Sequence, residues 1–350
     1  MSRSSQPVRI LIASYLEPHH VDRIREVSAR LEVVYEPHLL PRPRYAADHV
    51  GDAFERTEED ERRWVSLLAE AEVLFDFDGT HLADLPERAP SLRWIQATSA
   101  GIGQLVARHR YVERMPGTVF TTASGVHAVP LAEYALMSIL MFRRKSLEML
   151  ADQRERRWER FASSDLEGRS LAVVGVGSIG REVARVASAF GMSTVGVKRD
   201  VAGVDPASLH LEVLYAFDDL HAALRDAEHV VLSAPHTPET EGMIGATEFA
   251  LLAPGAIFVN VARGALIDES ALVDALESGH VGGAALDVFQ EEPLPPESPF
   301  WTMPNVLVSP HSAGTSDHEN ERITDIFCEN LRRYLDGEPL RNVLDKNKMY

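Results

Sequence analysis

The sequence predicts an α/β protein made of two doubly wound parallel-sheet domains. Short apolar runs alternate with amphipathic stretches along most of the chain, the pattern of βα units feeding a parallel sheet. A glycine-rich turn, "VGVGSIG", lies between an apolar run and an amphipathic stretch near the middle. Its 350 residues are enough for two cores of ordinary size.

In the first part the runs expected as strands are Val8–Ala13, Leu31–Tyr35, Ala71–Phe77 and Leu92–Thr98. A polar stretch from about Pro41 to Glu61 reads as a surface insertion. A long helical pattern then runs from Pro130 to Arg160. Its first half is apolar and its second half charged, so it predicts a helix passing from a buried interface into solvent. The run "RERRWER" (Arg154–Arg160) reads as a solvated helix face.

The second alternation predicts strands at Leu171–Val176, Ser193–Val197, Ala227–Pro235, Gly255–Ala262, Gly282–Phe289 and Asn305–Pro310. Asp218 and Asp268 are placed to start helices, and the second of these should stop at Gly279. A final helix runs to Gly337.

Composition narrows the function. Hydrophobic residues make up 45% of the chain, enough for ordinary globular cores. A net charge of −18 argues against non-specific binding to nucleic acid or anionic membranes, which needs clustered positive charge. The lone cysteine, Cys328, excludes an intramolecular disulfide and a cysteine-based zinc site, and no metal is expected. The apolar run at the N-terminus is too short for a signal peptide. Ala128–Phe142 is shorter than a bilayer span and contains Glu133. A soluble cytoplasmic protein is expected.

Gly175, Gly177 and Gly180 form G-x-G-x-x-G, with a β-branched run before and an amphipathic run after. In that context the glycines permit a tight turn, close approach of a pyrophosphate, and close helix–strand packing. The helix N-terminus then offers N–H groups to phosphate. Three polar groups follow at later strand ends: Arg263 after "FVNVA", Glu291 and Glu292 after "ALDVFQ", and His311 after "VLVSP". Ligands of doubly wound sheets sit beyond the carboxyl ends of the strands, so these groups should converge beside the dinucleotide. Together they suit hydride transfer to a 2-keto acid. Arginine offers a planar fork for a carboxylate, histidine is the natural acid near neutral pH, and a carboxylate bonded to that histidine would orient it and favour its protonated form.

The segments "GVHAVPLAEYAL", "LEGRSLAVVGVGSIGREVA", "SAPHTPETEGMI", "NVARGALIDESALVDAL", "GGAALDVFQEEPLP" and "SPHSAGTS" resemble the D-isomer-specific 2-hydroxyacid dehydrogenase family, on its glyoxylate/hydroxypyruvate reductase side. The resemblance implies a Rossmann cofactor domain and a flavodoxin-like substrate domain, with a cleft between them. It implies a discontinuous substrate domain, residues 1–124 with 317–350, around a cofactor domain of residues 125–316. It makes Arg263 the carboxylate anchor, His311 the acid/base and Glu292, rather than Glu291, the partner of that histidine. The turn "TSAGIG" matches the family's substrate loop, placing Ala100, Gly101 and Ile102 at the substrate. Gly175, Val176, Gly177, Ser178, Ile179 and Gly180 would hold the pyrophosphate. Val261 and Ala262 would line the nicotinamide and Asp287 its amide. Pro235, His236 and Thr240 would lie toward the adenosine ribose, and Ala313 and Gly314 would complete the cofactor contacts. A small 2-keto or 2-hydroxy acid is the implied substrate. A homodimer through the cofactor domains is the implied assembly, with no nucleic-acid or membrane partner.

At the strand end "GVKRD", the resemblance puts Lys198, in place of an acid, at the position for ribose recognition, with Arg199 beside it. Two cations there favour a 2′-phosphate, so NADP(H) is expected over NAD(H); the alternative is that both cations face solvent and Asp200 serves NAD. Other readings stay open. Glu292 argues against formate dehydrogenase, a relative that uses a Gln at this position. The chain closes soon after its last helix, which disfavours phosphoglycerate dehydrogenases with a regulatory domain. A dinucleotide-sensing corepressor on the same fold is compatible with the triad.

Overall fold

The computed structural model describes residues 7–349. Residues 1–6, where the N-terminal run read above begins, and Tyr350 lie outside them. The chain divides into two compact units, one of the residues up to Val126 together with those from Thr315 onward, the other His127–Gly314.

The first unit begins with β1 (Val8–Ile12), α1 (Pro18–Arg25), β2 (Leu31–Val34), α2 (Glu58–Glu70) and β3 (Val73–Phe75). It continues through α3 (Leu85–Arg88), β4 (Trp94–Gln96), α4 (Gly103–Arg108), α5 (Tyr111–Arg114) and β5 (Val119–Thr121). Its five strands lie in the order β2-β1-β3-β4-β5, every pair parallel. The order reverses between β1 and β3, the flavodoxin-like arrangement. Trp64, Leu67 and Leu68 of α2 cover one face through Leu11, Leu74 and Ile95. The other face, with Ile10, Phe75 and Trp94, is covered by α1 and by the returning C-terminal helix.

The second unit begins with α6 (Ala128–Arg143), α7 (Ser146–Glu155), β6 (Ser170–Val174), α8 (Ser178–Ala189), β7 (Ser193–Lys198) and β8 (Val213–Ala216). It continues with α9 (Leu220–Leu224), β9 (His229–Leu232), α10 (Ala246–Leu251), β10 (Ala256–Asn260), α11 (Glu269–Glu277), β11 (Val281–Leu286) and β12 (Val306–Val308). The order β12-β11-β10-β9-β6-β7-β8 is again all parallel. This Rossmann-type sheet reverses between β6 and β9. Alternate residues pack to opposite faces: Ala172, Val174 and Phe258 toward α9–α11, and Leu171, Val173 and Val259 toward α6 and α8. The chain then returns to the first unit as α12 (Glu319–Asp336). There Phe327 places its ring 5.1 Å from both Phe75 and Trp94.

Two strands, β5 and β8, fall where the sequence pattern predicts none. Both are edge strands of three or four residues, too short to show a period. The long helix predicted over Pro130–Arg160 is two helices. Lys145 adopts a left-handed conformation (φ 56°), which ends α6 without a glycine or proline to announce it. α7 stops at Glu155 and Arg156 is again left-handed, so the "RERRWER" run is exposed but mostly not helical.

The Pro41–Glu61 segment is more than a surface insertion. Asp48 is buried and accepts hydrogen bonds from the amides of Arg44, Val50 and Gly51, pinning the loop. Arg56 reaches back to the Leu39 carbonyl at 2.8 Å. Asp218 falls in a short 3-10 turn ahead of α9 and does not cap it. Asp268 caps α11 through the amides of Ser270 and Ala271, and Gly279 follows that helix at φ 74°. Among the described residues no helix is long and apolar enough to cross a membrane.

Candidate active site

β6 delivers the chain into the glycine turn at the reversal point of its sheet. A Cβ on Gly175 would lie 2.4 Å from the Ala234 amide nitrogen, and one on Gly180 would lie 2.2 Å from the Gly175 carbonyl oxygen. Both positions are closed to side chains by backbone. A Cβ on Gly177 would meet nothing within 4 Å. The turn therefore keeps clear space ahead of α8, whose N-terminus has no side-chain cap. The amides of Ser178, Ile179 and Gly180 open that helix, the arrangement that suits a pyrophosphate. Val176 is buried and its amide donates to the Val197 carbonyl. The residues present thus fit a dinucleotide.

Lys198 closes β7 and its Nζ donates to the Val176 carbonyl at 3.3 Å. Arg199 pairs with Glu239 at 2.5 Å, an acid the sequence reading did not bring to this place. Asp200 turns back on its own loop and accepts the Ala202 amide. In the Pro235–Thr240 segment, the Thr240 hydroxyl donates to the Pro235 carbonyl and accepts the Thr237 amide, so its polar atom shapes the loop. His236 lies 3.8 Å from Glu241.

Three adjacent strands bring the polar groups together. β10 ends in Asn260, which is fully buried; its Oδ1 accepts the Ala262 amide and its Nδ2 donates to the Arg263 carbonyl. Val261 and Ala262, within that turn, are buried. Arg263 is mostly buried, with Nη1 donating to the Ala262 carbonyl at 2.6 Å. Burial pushes its guanidinium pKa down, while Glu292 and Asp287 pull the other way. A Cβ on Gly264 would lie 1.9 Å from the Phe289 carbonyl carbon, so the turn carrying Arg263 packs backbone on backbone against the turn leading to Glu292.

Glu292 uses both oxygens. Oε1 accepts the Phe289 amide at 2.9 Å, and Oε2 accepts from His311 Nδ1 at 2.8 Å. With Nδ1 so engaged, Nε2 of His311 is the nitrogen left for a substrate. His311 itself is left-handed (φ 53°), a conformation that a non-glycine residue holds only under constraint.

The constraint is Asp287. Its carbonyl accepts the His311 amide, and its Oδ1 accepts from Ser309 Oγ, the Ser312 amide and the Ala313 amide at 2.6–2.9 Å. Burial pushes the Asp287 carboxyl pKa up, against those donors. Sequence reasoning gave Asp287 only a nicotinamide contact and missed this clamp, along with Asn260 and Ser309. A buried Asn inside the apolar run "IFVNVA" was the available signal for Asn260.

The structure brings Arg263, Glu292 and His311 together. Ala100, Gly101 and Ile102 belong to the other unit, in the turn after β4 at the carboxyl end of its sheet. Ala100 and Gly101 are exposed, and the Gly101 amide lies 3.3 Å from Ser99 Oγ. Ile102 is in the core, so only its backbone can meet a ligand. Gly314 closes the second unit just after Ala313. Among the described residues no group of three or more His, Cys, Asp or Glu side chains is arranged to hold a metal ion.

The family model "D-isomer specific 2-hydroxyacid dehydrogenase, NAD binding domain" matches residues 136–313. The D-3-phosphoglycerate dehydrogenase of Methanocaldococcus jannaschii is 31% identical over 301 residues, 85% of this chain and 56% of that protein. The chain spans about half the length of the phosphoglycerate dehydrogenases it matches. The glyoxylate reductase of Korarchaeum cryptofilum is 31% identical over 278 residues, 75% of this chain and 79% of that one. Among solved structures, a D-isomer specific 2-hydroxyacid dehydrogenase from Xanthobacter autotrophicus Py2, in complex with NADPH and MES, superposes with a TM-score of 0.77 at 28% identity, covering 99% of this chain and 100% of that one.

Proposed function

The chain belongs to the D-isomer specific 2-hydroxyacid dehydrogenase family, and on that premise we propose that it reduces a small 2-keto acid to a D-2-hydroxy acid with NAD(P)H, glyoxylate and hydroxypyruvate first among the candidates. The observation that carries this reading is the His311–Glu292 pair beside Arg263, at the carboxyl ends of three neighbouring strands in the same unit as the glycine turn.

A bound nicotinamide supplies the hydride that reaches the carbonyl carbon. The rest falls to the chain. The Arg263 guanidinium binds the substrate carboxylate, its charge more effective for being mostly buried. His311 gives the proton on Nε2 to the carbonyl oxygen as that oxygen gains charge. Glu292 holds the ring by Nδ1 and offsets its charge. Val261 and Ala262 present an apolar wall to the nicotinamide and keep water from it. We assign dinucleotide binding to the unit His127–Gly314 and a part in substrate binding to the other, through the amides of Ala100 and Gly101.

Lys198 and Arg199 favour NADPH over NADH. The Arg199–Glu239 pair opposes this in part, since Glu239 competes with a 2′-phosphate for Arg199. The homodimer reading rests on the exposed apolar side chains Met137, Met149, Leu150, Trp158 and Phe161, on or just beyond α6 and α7. α7 buries none of its own residues, as expected of a helix that docks on a second copy. A cytoplasmic setting, with its nicotinamide pool, suits the same reading.

The test is a panel of glyoxylate, hydroxypyruvate, pyruvate, phenylpyruvate and 3-phosphohydroxypyruvate, each with NADH and with NADPH. Saturable oxidation of either cofactor with one of these supports the proposal. Tight cofactor binding without turnover of any of them would overturn it.

A further inference from the structure

Glu292 sits in a stretch without helix or strand, residues 288–298, that follows β11. Such a stretch needs anchors if its carboxylate is to meet His311 at hydrogen-bond distance. They come from the segment that follows Arg263. Glu269 Oε1 accepts the Gln290 amide at 2.7 Å, and Gln290 Nε2 donates to the Ile267 carbonyl at 2.7 Å. A Cβ on Gly264 would lie 2.3 Å from the Gln290 nitrogen, so the two backbones also touch there. The chain from Gly264 to Glu269 thus grips the stretch at Phe289 and Gln290, just ahead of Glu292.

Glu269 opens α11, yet its carboxylate does not cap that helix. The Ser270 and Ala271 amides are taken by Asp268. Glu269 reaches across to Gln290 instead, and a bond from a main-chain amide to a carboxylate is charge-assisted and firm. Burial pushes the Glu269 carboxyl pKa up against the Gln290 amide, and Glu292 adds to the rise, so the two carboxylates lie within electrostatic reach of each other. We propose that Glu269 is a positioning residue: by holding the Gln290 amide it sets Glu292 where that carboxylate orients His311, and it locks the turn bearing Arg263 to the same frame. This rests on the roles proposed for Arg263, Glu292 and His311. The acceptor oxygen of Glu269 does the holding, so glutamine can replace it and alanine cannot.

Amide hydrogen exchange of the whole protein, read by mass spectrometry, tests the anchor without any turnover. Glu269→Ala should speed exchange in a peptide covering residues 288–293 at least roughly tenfold, the loss of one hydrogen bond to a charged group. Exchange at the glycine turn before α8 should not change. Kinetics reads the consequence. Glu269→Ala should lower kcat roughly tenfold or more through misplacement of Glu292, with the cofactor KM unchanged. Glu269→Gln should recover most of that loss. In a Glu292→Gln background, Glu269→Ala should cost little more, because it acts through Glu292. Unchanged exchange or undiminished kcat in Glu269→Ala, no rescue by Glu269→Gln, or a full further loss on top of Glu292→Gln would each overturn the proposal. Absence of turnover by the wild type on every keto acid would instead overturn the activity, and the exchange comparison would still judge the anchor.

Discussion

Asp287 holds His311 from two sides: its main-chain carbonyl accepts the His311 amide at 2.9 Å, and its carboxylate takes the amides of the two residues that follow. The placement of the His311 ring thus depends on a carboxylate that is not part of the proposed triad. Asp287→Ala should lower kcat by roughly 10–100-fold through misplacement of the ring. Asp287→Asn, whose amide oxygen can accept the same amides, should recover part of the loss. Steady-state kinetics separates this from a nicotinamide contact, for which the cofactor KM would carry most of the effect.

In the proposed mechanism the triad divides its labour between binding and chemistry. His311→Ala should reduce kcat by roughly 10²–10⁴-fold with dinucleotide affinity retained. Arg263→Ala should act mainly on productive substrate binding, raising KM, and Arg263→Lys should restore little because a lysine lacks the planar fork. Near-normal turnover by the His311 variant, measured by NAD(P)H absorbance, would contradict the assignment.

On the proposed reading, cofactor choice turns on the end of β7. Lys198→Asp should shift the ratio of kcat/KM for NADPH over NADH toward NADH by at least ~10-fold, or about 1.4 kcal/mol. Glu239→Gln should move the ratio the opposite way, because it removes the anion that holds Arg199. Parallel kinetics with the two cofactors measures both.

His229 makes stability depend on pH. Its Nδ1 donates to the Ser170 carbonyl, its Nε2 accepts from Arg143, and it is fully buried. Burial, helped by the Arg143 charge and opposed by the Ser170 carbonyl, pushes its pKa from 6.5 to about 4. Below pH 6.5 the unfolded chain takes up a proton that the folded chain refuses. Stability from this group is therefore whole above 6.5 and is lost as pH falls toward 4, by about 2 kcal/mol at pH 5 and about 3 in all. Urea unfolding of wild type and His229→Gln at pH 7.5 and 5 should show the slope in the first and a reduced slope in the second.

Most of the architecture was legible because parallel strands buried on both faces read as apolar runs, and the glycine turn has few structural uses. The convergence of Arg263, Glu292 and His311 was legible because each is a polar residue at or just beyond such a run. What stayed hidden depends on backbone. The break at Lys145 is a left-handed residue with no glycine or proline to mark it. β5 and β8 are too short for a period to show. The Asp287 clamp uses main-chain amides, which every residue possesses, and the burial of Asp48 inside a polar loop leaves no trace in hydropathy.

The contact between Gly180 and the Gly175 carbonyl has a consequence for how a cofactor is acquired. Neither residue has a rotamer to freeze, and their main chains are wedged against each other and against Ala234. If this turn is the phosphate cradle proposed above, it is already assembled before anything enters it, and little disorder is surrendered there on binding. Association at this end of the dinucleotide should proceed at the pace of encounter, with slower adjustments confined to the longer side chains of Lys198 and Arg199.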